Sequence, residues 1–216
     1  WDEARTHGKR RGVQHGMRAA LTTGDFQGWR LWEAPASSPG AWNGCFIITE
    51  EASVTVRNHI IEVAGHVQSA EVLVLADGKE FMLMNVYFPH NRRGQETVEE
   101  AKLVERVRTA MSNVARRAAE QKLPLIVGGD LQAQTAAARE RLDGDATAYD
   151  LWLEEWRCKW DLDSCADAEP TYYATGAQGQ QIATAIDHWL VDAELAAGVT
   201  VEVKPGPGGI QVGRAT

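Results

Sequence analysis

The chain has 216 residues, of which 44% are hydrophobic and 24% charged, and it carries a net charge of −8. That balance is ordinary for a globular protein with one sizeable core. It argues against a protein that coats nucleic acid over its whole surface, and no stretch approaches the ~18 consecutive apolar residues of a membrane helix.

Three cysteines, Cys45, Cys158 and Cys165, form neither a zinc pattern nor a disulfide framework, which points to a reducing compartment. The start, Trp1 to Arg11, is polar and charged, does not read as a signal peptide, and lacks an initiator Met. The chain therefore reads as a fragment or as a domain cut from a longer protein. Lys9, Arg10, Arg11 and Arg18 form a local basic cluster, read first as a solvated face.

In chain order, residues 3–21 could form a helix, weakened by Gly8, Gly12 and Gly16. Residues 28–33 alternate and predict a short strand, 34–41 a loop, and 44–49 a buried strand. Val54 to Val63 is β-branched and predicts one strand or two. Residues 71–76 and 80–87 read as a hairpin about Asp77-Gly78, with a type I′ turn. Pro89 stops the second strand just after Tyr87. Residues 96–121 predict the clearest helix, with Val104, Val107, Met111, Val114 and Ala118 on one apolar stripe. Pro124 ends it, and an apolar strand follows at once, as in a strand–helix–strand crossover. Residues 146–160 predict a second helix whose Trp152, Trp156 and Trp160 read as core packing. Pro170 to Tyr173 begins an extended piece, 176–181 is a loop, and 186–191 is a strand. The tail, 204–216, reads as loop or frayed end. There are no internal repeats.

The chain is organised around Leu123-Pro124-Leu125-Ile126-Val127-Gly128-Gly129-Asp130-Leu131-Gln132-Ala133. A short apolar run suits a strand buried on both faces, the glycines permit a sharp turn or close approach, and Asp130 then falls at the carboxyl end. In layered α/β proteins sites gather there. Alternatively, Asp130 merely caps the next turn. Two other strand ends carry chemistry: Met84-Asn85-Val86-Tyr87-Phe88-Pro89 and Ile186-Asp187-His188-Trp189.

These three segments, in this order, resemble the endonuclease/exonuclease/phosphatase superfamily, which has strand ends reading Y-x-P, G-D-x-N and S-x-I-D. Within it they are most similar to LINE-type retrotransposon endonuclease domains and abasic-site DNA repair nucleases. The resemblance covers roughly residues 40 to 192, with Trp42 and Gly44 also matching. It implies a single domain over 1–216 with a four-layer α/β/β/α sandwich, two mixed β-sheets face to face, DNase I-like and incomplete at the N-terminus. It also implies Mg²⁺- or Mn²⁺-dependent phosphodiester hydrolysis, with DNA as the foremost substrate. No membrane or obligate protein partner is implied, and the location would be nuclear if the chain derives from a retroelement.

By the same resemblance Asp130 orients the attacking water and the Tyr87 hydroxyl approaches the phosphate. Gln132 stands where the family has Asn, with a reach longer by roughly 1.5 Å. Asp187 matches the Asp that orients a catalytic His. Asn91, Arg92 and Arg93 could face the substrate backbone, against a reading as solvated loop charges. His188 reads as structural, and His59 and His66, without a spaced partner, as ordinary. The family's opening Asn and Gln-Glu strands have no match, so the metal ligand is unassigned, and its closing Ser-Asp-His is absent from the tail. Glu50, Glu51 and His188 are the first places to look for substitutes. Two rivals follow: a non-catalytic nucleic-acid- or protein-binding remnant, and a phosphatase or phospholipase of the same superfamily.

Overall fold

A computed structural model describes residues 27–35, 45–89, 97–142, 145–165, 170, 172–175, 181–196, 203–206 and 209–212, with backbone only for 141–142, 172–175, 181–183 and 203–212 within these. In chain order the elements are β1 (Trp29–Ala34), β2 (Cys45–Glu50), β3 (Val54–Val63), β4 (Val67–Val74), β5 (Glu80–Tyr87), α1 (Val98–Gln121), β6 (Leu125–Asp130), α2 (Ala136–Leu142) and α3 (Ala148–Lys159). They are followed by β7 (Leu162–Ser164), β8 (Tyr172–Thr175), β9 (Gln181–Thr184), β10 (Asp187–Asp192), α4 (Ala193–Ala196), β11 (Val203–Gly206) and β12 (Gly209–Val212).

Six strands form one mixed sheet in the order β3-β4-β5-β6-β10-β7. Only β5 and β6 run parallel, joined by α1 as the crossover that parallel pairing requires. α1 begins at Thr97, whose hydroxyl accepts the Glu100 amide while the Glu100 carboxylate accepts the Thr97 amide. This capping box satisfies donors that the first turn leaves open. The predicted stripe is buried throughout, and Ala110 and Ala115 join it. It packs on Met82, Met84, Val86, Leu125, Val127 and Leu190. Arg117, off the stripe, reaches Glu62 at 2.6 Å and the Ser69 hydroxyl at 2.7 Å, tying α1 to β3 and β4. α3 lies beside α1, with the Trp156 indole donating to Ser112 at 3.2 Å. Trp156 is buried, and Trp152 and Trp160 pack against the core, as expected of that stripe.

The β1–β2 hairpin covers the other face. The Asn85 amide of β5 donates to the Phe46 carbonyl, and Trp32 stands 5.3 Å from His59 of β3. Sheet, outer helices and opposing hairpin give the mixed α/β, DNase I-like fold that the resemblance implied. No helix among the described residues is long and apolar enough to cross a membrane.

Three expectations are corrected. The β4–β5 connection is not a two-residue type I′ turn: residues 75–79 form a longer loop, closed by the Gly78 amide on the Val74 carbonyl at 2.9 Å. Gly78 has φ +72° while Asp77 stays out of that region, so the loop draws on one glycine rather than on a left-handed pair. The tail is not loop throughout: β11 and β12 pair antiparallel, with Val203 opposite Val212 and Gly206 opposite Gly209. Pro205, Gly206 and Gly209 lie within the paired strands, beside the β-branched Val203, Ile210 and Val212. Likewise Gln181 belongs to β9, which pairs with β8. The 3–21 helix and the Lys9–Arg18 cluster lie outside the described residues.

Candidate functional site

Cross-strand register builds the site. Tyr87 of β5 is paired with Asp130 of β6, and Asp130 with Asp187 of β10. Adjacent strands are about 4.8 Å apart, so three strand-end side chains stand in one row roughly 10 Å long. Two backbone bonds continue the stitching past the ladder: Phe88 N–H to Asp130 O at 2.7 Å, and Leu131 N–H to Ile186 O at 2.8 Å.

The glycines before Asp130 have separate jobs. A Cβ on Gly128 would stand 2.9 Å from the Trp189 ring, which covers it from β10. Gly129 has φ +138°, and a Cβ there would meet the Val86 carbonyl oxygen at 2.0 Å. No L side chain fits, so this glycine lets β6 close on β5 where the row begins.

Asp130 is half-buried and held by its own loop. Its Oδ1 accepts the Gln132 backbone amide at 3.1 Å, and the Gln132 side-chain nitrogen stands 2.8 Å from both carboxylate oxygens. Gln132 has φ +51°, the left-handed conformation that lets the short Asp130 side chain cap the turn. The cap reading of Asp130 is therefore met, and the same carboxylate stands in the row with Tyr87 and Asp187. The loop is anchored from behind by Asp150, which is buried, accepts the Gln134 amide at 2.5 Å and the Thr147 amide at 2.6 Å, and so fixes it to the start of α3.

His188, although adjacent to Asp187, is buried and bonds through Nε2 to the Ala133 carbonyl at 2.7 Å. Strand alternation sends it to the face opposite Asp187. It packs, as the sequence suggested. Glu50 and Glu51 lie at the far end of β2 from Phe46, the residue that touches Asn85, and so do not join the row. Asn91, Arg92 and Arg93 lie outside the described residues.

His66, read from sequence as ordinary, stands at the rim beside Tyr87. Tyr87 N–H donates to the His66 carbonyl and His66 Nδ1–H donates to the Tyr87 carbonyl, both at 2.7 Å. The two rings stack with centroids 5.9 Å apart. Burial holds the His66 pKa below the usual histidine value, opposed by the bond to Tyr87 and assisted by Arg106. A lone His without a spaced partner carries no such signal in sequence; only the register brings it to Tyr87.

Among the described residues, no three His, Cys, Asp or Glu side chains cluster to hold a metal ion. The row does offer two carboxylates, Asp130 and Asp187. Mg²⁺ takes oxygen ligands and commonly binds through one or two carboxylates, with water and substrate phosphate completing its shell. Each carboxylate oxygen has more than one lone pair, so Gln132 does not exhaust Asp130 as an acceptor. The donor set fits such an ion.

No protein-family model matches the sequence, and neither does any curated protein. Solved structures do match. The endonuclease domain of TRAS1, a telomere-specific non-LTR retrotransposon, is 15% identical with a TM-score of 0.60, covering 89% of this chain and 83% of that one. The 3′ phosphatase NExo from Neisseria, solved with a product DNA hairpin, is 19% identical at TM-score 0.61, covering 86% and 74%. A mannosyl-6-phosphatase from Bacteroides thetaiotaomicron is 12% identical at TM-score 0.55, covering 92% and 76%. The chain has the fold of the endonuclease/exonuclease/phosphatase superfamily.

Proposed function

We propose that this chain is a phosphoester hydrolase of the endonuclease/exonuclease/phosphatase type, acting on DNA phosphodiesters with Mg²⁺ or Mn²⁺. The observation that carries the reading is the row Tyr87–Asp130–Asp187 at one rim of a DNase I-like sheet, with the Gln132 amide on Asp130.

Asp130 is the base: it orients a water and takes its proton as the water oxygen bonds to phosphorus, and the sugar oxygen leaves with the bonding pair and is protonated by solvent. The Gln132 amide holds that carboxylate in place. Tyr87 donates its hydroxyl to a non-bridging phosphate oxygen. Asp187 supplies the second carboxylate for the cation, which when bound offsets the negative charge gathering on the phosphoryl oxygens. Asn91, Arg92 and Arg93, just past Tyr87 in sequence, contact the substrate backbone.

No family-type Ser-Asp-His or Gln-Glu has been matched in this sequence, so we expect turnover on the order of 10³-fold or more below that of an intact nuclease of this fold. The test offers supercoiled plasmid, a 3′-phosphorylated oligonucleotide and a sugar phosphate, each with Mg²⁺ and Mn²⁺. Slow nicking that disappears in Asp130→Ala supports the reading. Release of phosphate from the oligonucleotide or the sugar, with the plasmid untouched, replaces it with a phosphatase. Equal background from both proteins on every substrate favours a binding remnant.

A further inference from the structure

We infer that His66 is a positioning residue for the proposed hydrolysis, clamping Tyr87 at the rim through both of its backbone polar groups. The inference rests on the hydrolase reading only for the use to which Tyr87 is put; the clamp itself stands on geometry.

Tyr87 is the last residue of β5 and the last of its parallel ladder with β6. A strand end frays unless something closes it. On the β6 side the Phe88 amide is tied to Asp130. On the other side β4 begins only at Val67, opposite Val86, so regular pairing stops one residue short of Tyr87. His66 fills that gap from the β3–β4 turn. Its carbonyl accepts the Tyr87 amide, and its side chain, rather than a backbone amide, returns the second bond to the Tyr87 carbonyl.

The turn brings the imidazole there by a local device. The His66 amide donates to the Val63 carbonyl at 2.9 Å, and Gly65 sits at φ +74°, so the chain doubles back tightly before β4. A carbonyl only accepts, so Nδ1 carries the proton. The imidazole lies against the Tyr87 ring at 23° between planes, which restricts that ring as well as its backbone. Residue, ring and carbonyl are therefore fixed together. A displacement of about 1 Å in a group that must meet a phosphate can cost a hundredfold in rate.

Substitution separates the bond from mere packing. The side-chain nitrogen of Asn can take the place of Nδ1, whereas Phe keeps the stacked ring and loses the donor, and Gln extends past the acceptor. The first readout needs no activity. In protein labelled with ¹⁵N-tyrosine and ¹⁵N-methionine, four tyrosine amides report, Tyr87→Phe assigns the one from Tyr87, and Met111→Leu assigns that of Met111 in the middle of α1. We expect His66→Phe and His66→Gln to speed hydrogen exchange at Tyr87 by about tenfold, the equivalent of one hydrogen bond, while the Met111 amide is unmoved. His66→Asn should restore protection. Unchanged Tyr87 exchange in both His66→Phe and His66→Gln overturns the clamp, as does faster exchange at Tyr87 and Met111 alike.

The second readout is kinetic. His66→Phe should lower kcat about tenfold with KM little changed, and that loss should vanish in a Tyr87→Phe background, because His66 acts through Tyr87. Additive losses in the double variant overturn the positioning role. If wild-type protein hydrolyses none of the substrates, the hydrolase reading fails, and the exchange experiment still decides the clamp.

Discussion

Under α1 the six-stranded sheet presents Met82, Met84, Val86, Val127 and Leu190, and the polar groups enclosed there are few, chiefly the Arg117–Glu62–Ser69 tie and His188 on the Ala133 carbonyl. Under the β1–β2 hairpin the same strands present Gln68, Asn85, Gly128 and Trp189. Here polar side chains make directed bonds: the Gln68 carbonyl oxygen meets His59 Nε2 at 2.8 Å, and the Asn85 amide donates to the Phe46 carbonyl. The Cys45 thiol is enclosed enough that burial pushes it up to about 12. The difference teaches a division of labour within one sheet. The helix face draws its strength from apolar area, which sets no requirement of direction on any one contact. The hairpin face and its rim depend on direction and distance, so they carry more information per residue and tolerate less error.

The comparison breaks first if the helix face is not a dry core. Val107 is fully buried against it. Val107→Asp should cost on the order of 4 kcal/mol or more, because it buries an unpaired charge. A urea melt with an unchanged midpoint would mean that α1 does not pack as described.

The next largest effect lies at the rim. Gly129→Ala places a methyl where the Val86 carbonyl oxygen already stands, on a backbone at φ +138°. We expect a loss of about 2–4 kcal/mol, combining strain and overpacking. Ala at Gly78, also at positive φ but with open space around it, should cost no more than about 1–2 kcal/mol. Denaturant midpoints for the two variants separate close approach from backbone strain; equal losses would remove the special role given to Gly129.

These contrasts also explain what could be read before the structure. The α1 stripe was legible because an apolar pattern at helical period is a local property of the chain, and all five of its residues are buried. The strand ends at Tyr87 and Asp130 were legible for the same reason, each being an apolar run halted by a proline or by glycines and a charge, whereas Asp187 opens its strand and was reachable only through resemblance. Their common row was reachable only through resemblance, since register across β5, β6 and β10 is non-local. His66 and Asp150 were invisible: one is defined by a turn 21 residues from Tyr87, the other by a bond to Gln134 across 16. The β11–β12 pairing was not legible because Gly and Pro outweigh the three β-branched residues in so short a segment.

A smaller effect probes the entry to α1. Thr97→Ala removes the hydroxyl that accepts the Glu100 amide, and should cost about 1 kcal/mol. Glu100→Ala removes the reciprocal half, and the double variant should lose less than the sum, because the two bonds form one box. Strict additivity in thermal melts would show two independent bonds instead.

The smallest effect is a pH dependence, and it bears on the rim alone. Folding lowers the His66 pKa, chiefly through burial, with Arg106 acting the same way and the Tyr87 carbonyl opposing. The unfolded chain therefore binds the proton more readily than the folded one. Stability from this group is fully present above the unfolded value of about 6.5 and falls as pH drops below it toward the folded value. Protonation would still allow Nδ1–H to donate, so the clamp is not cut; what is lost is the free energy of enclosing a charge beside Arg106. Thermal melts between about pH 7.5 and 5 should show a decline that is shallower in His66→Asn, which keeps the donor and cannot titrate. Parallel declines in both proteins would assign the dependence to other groups and leave His66 without a role in it.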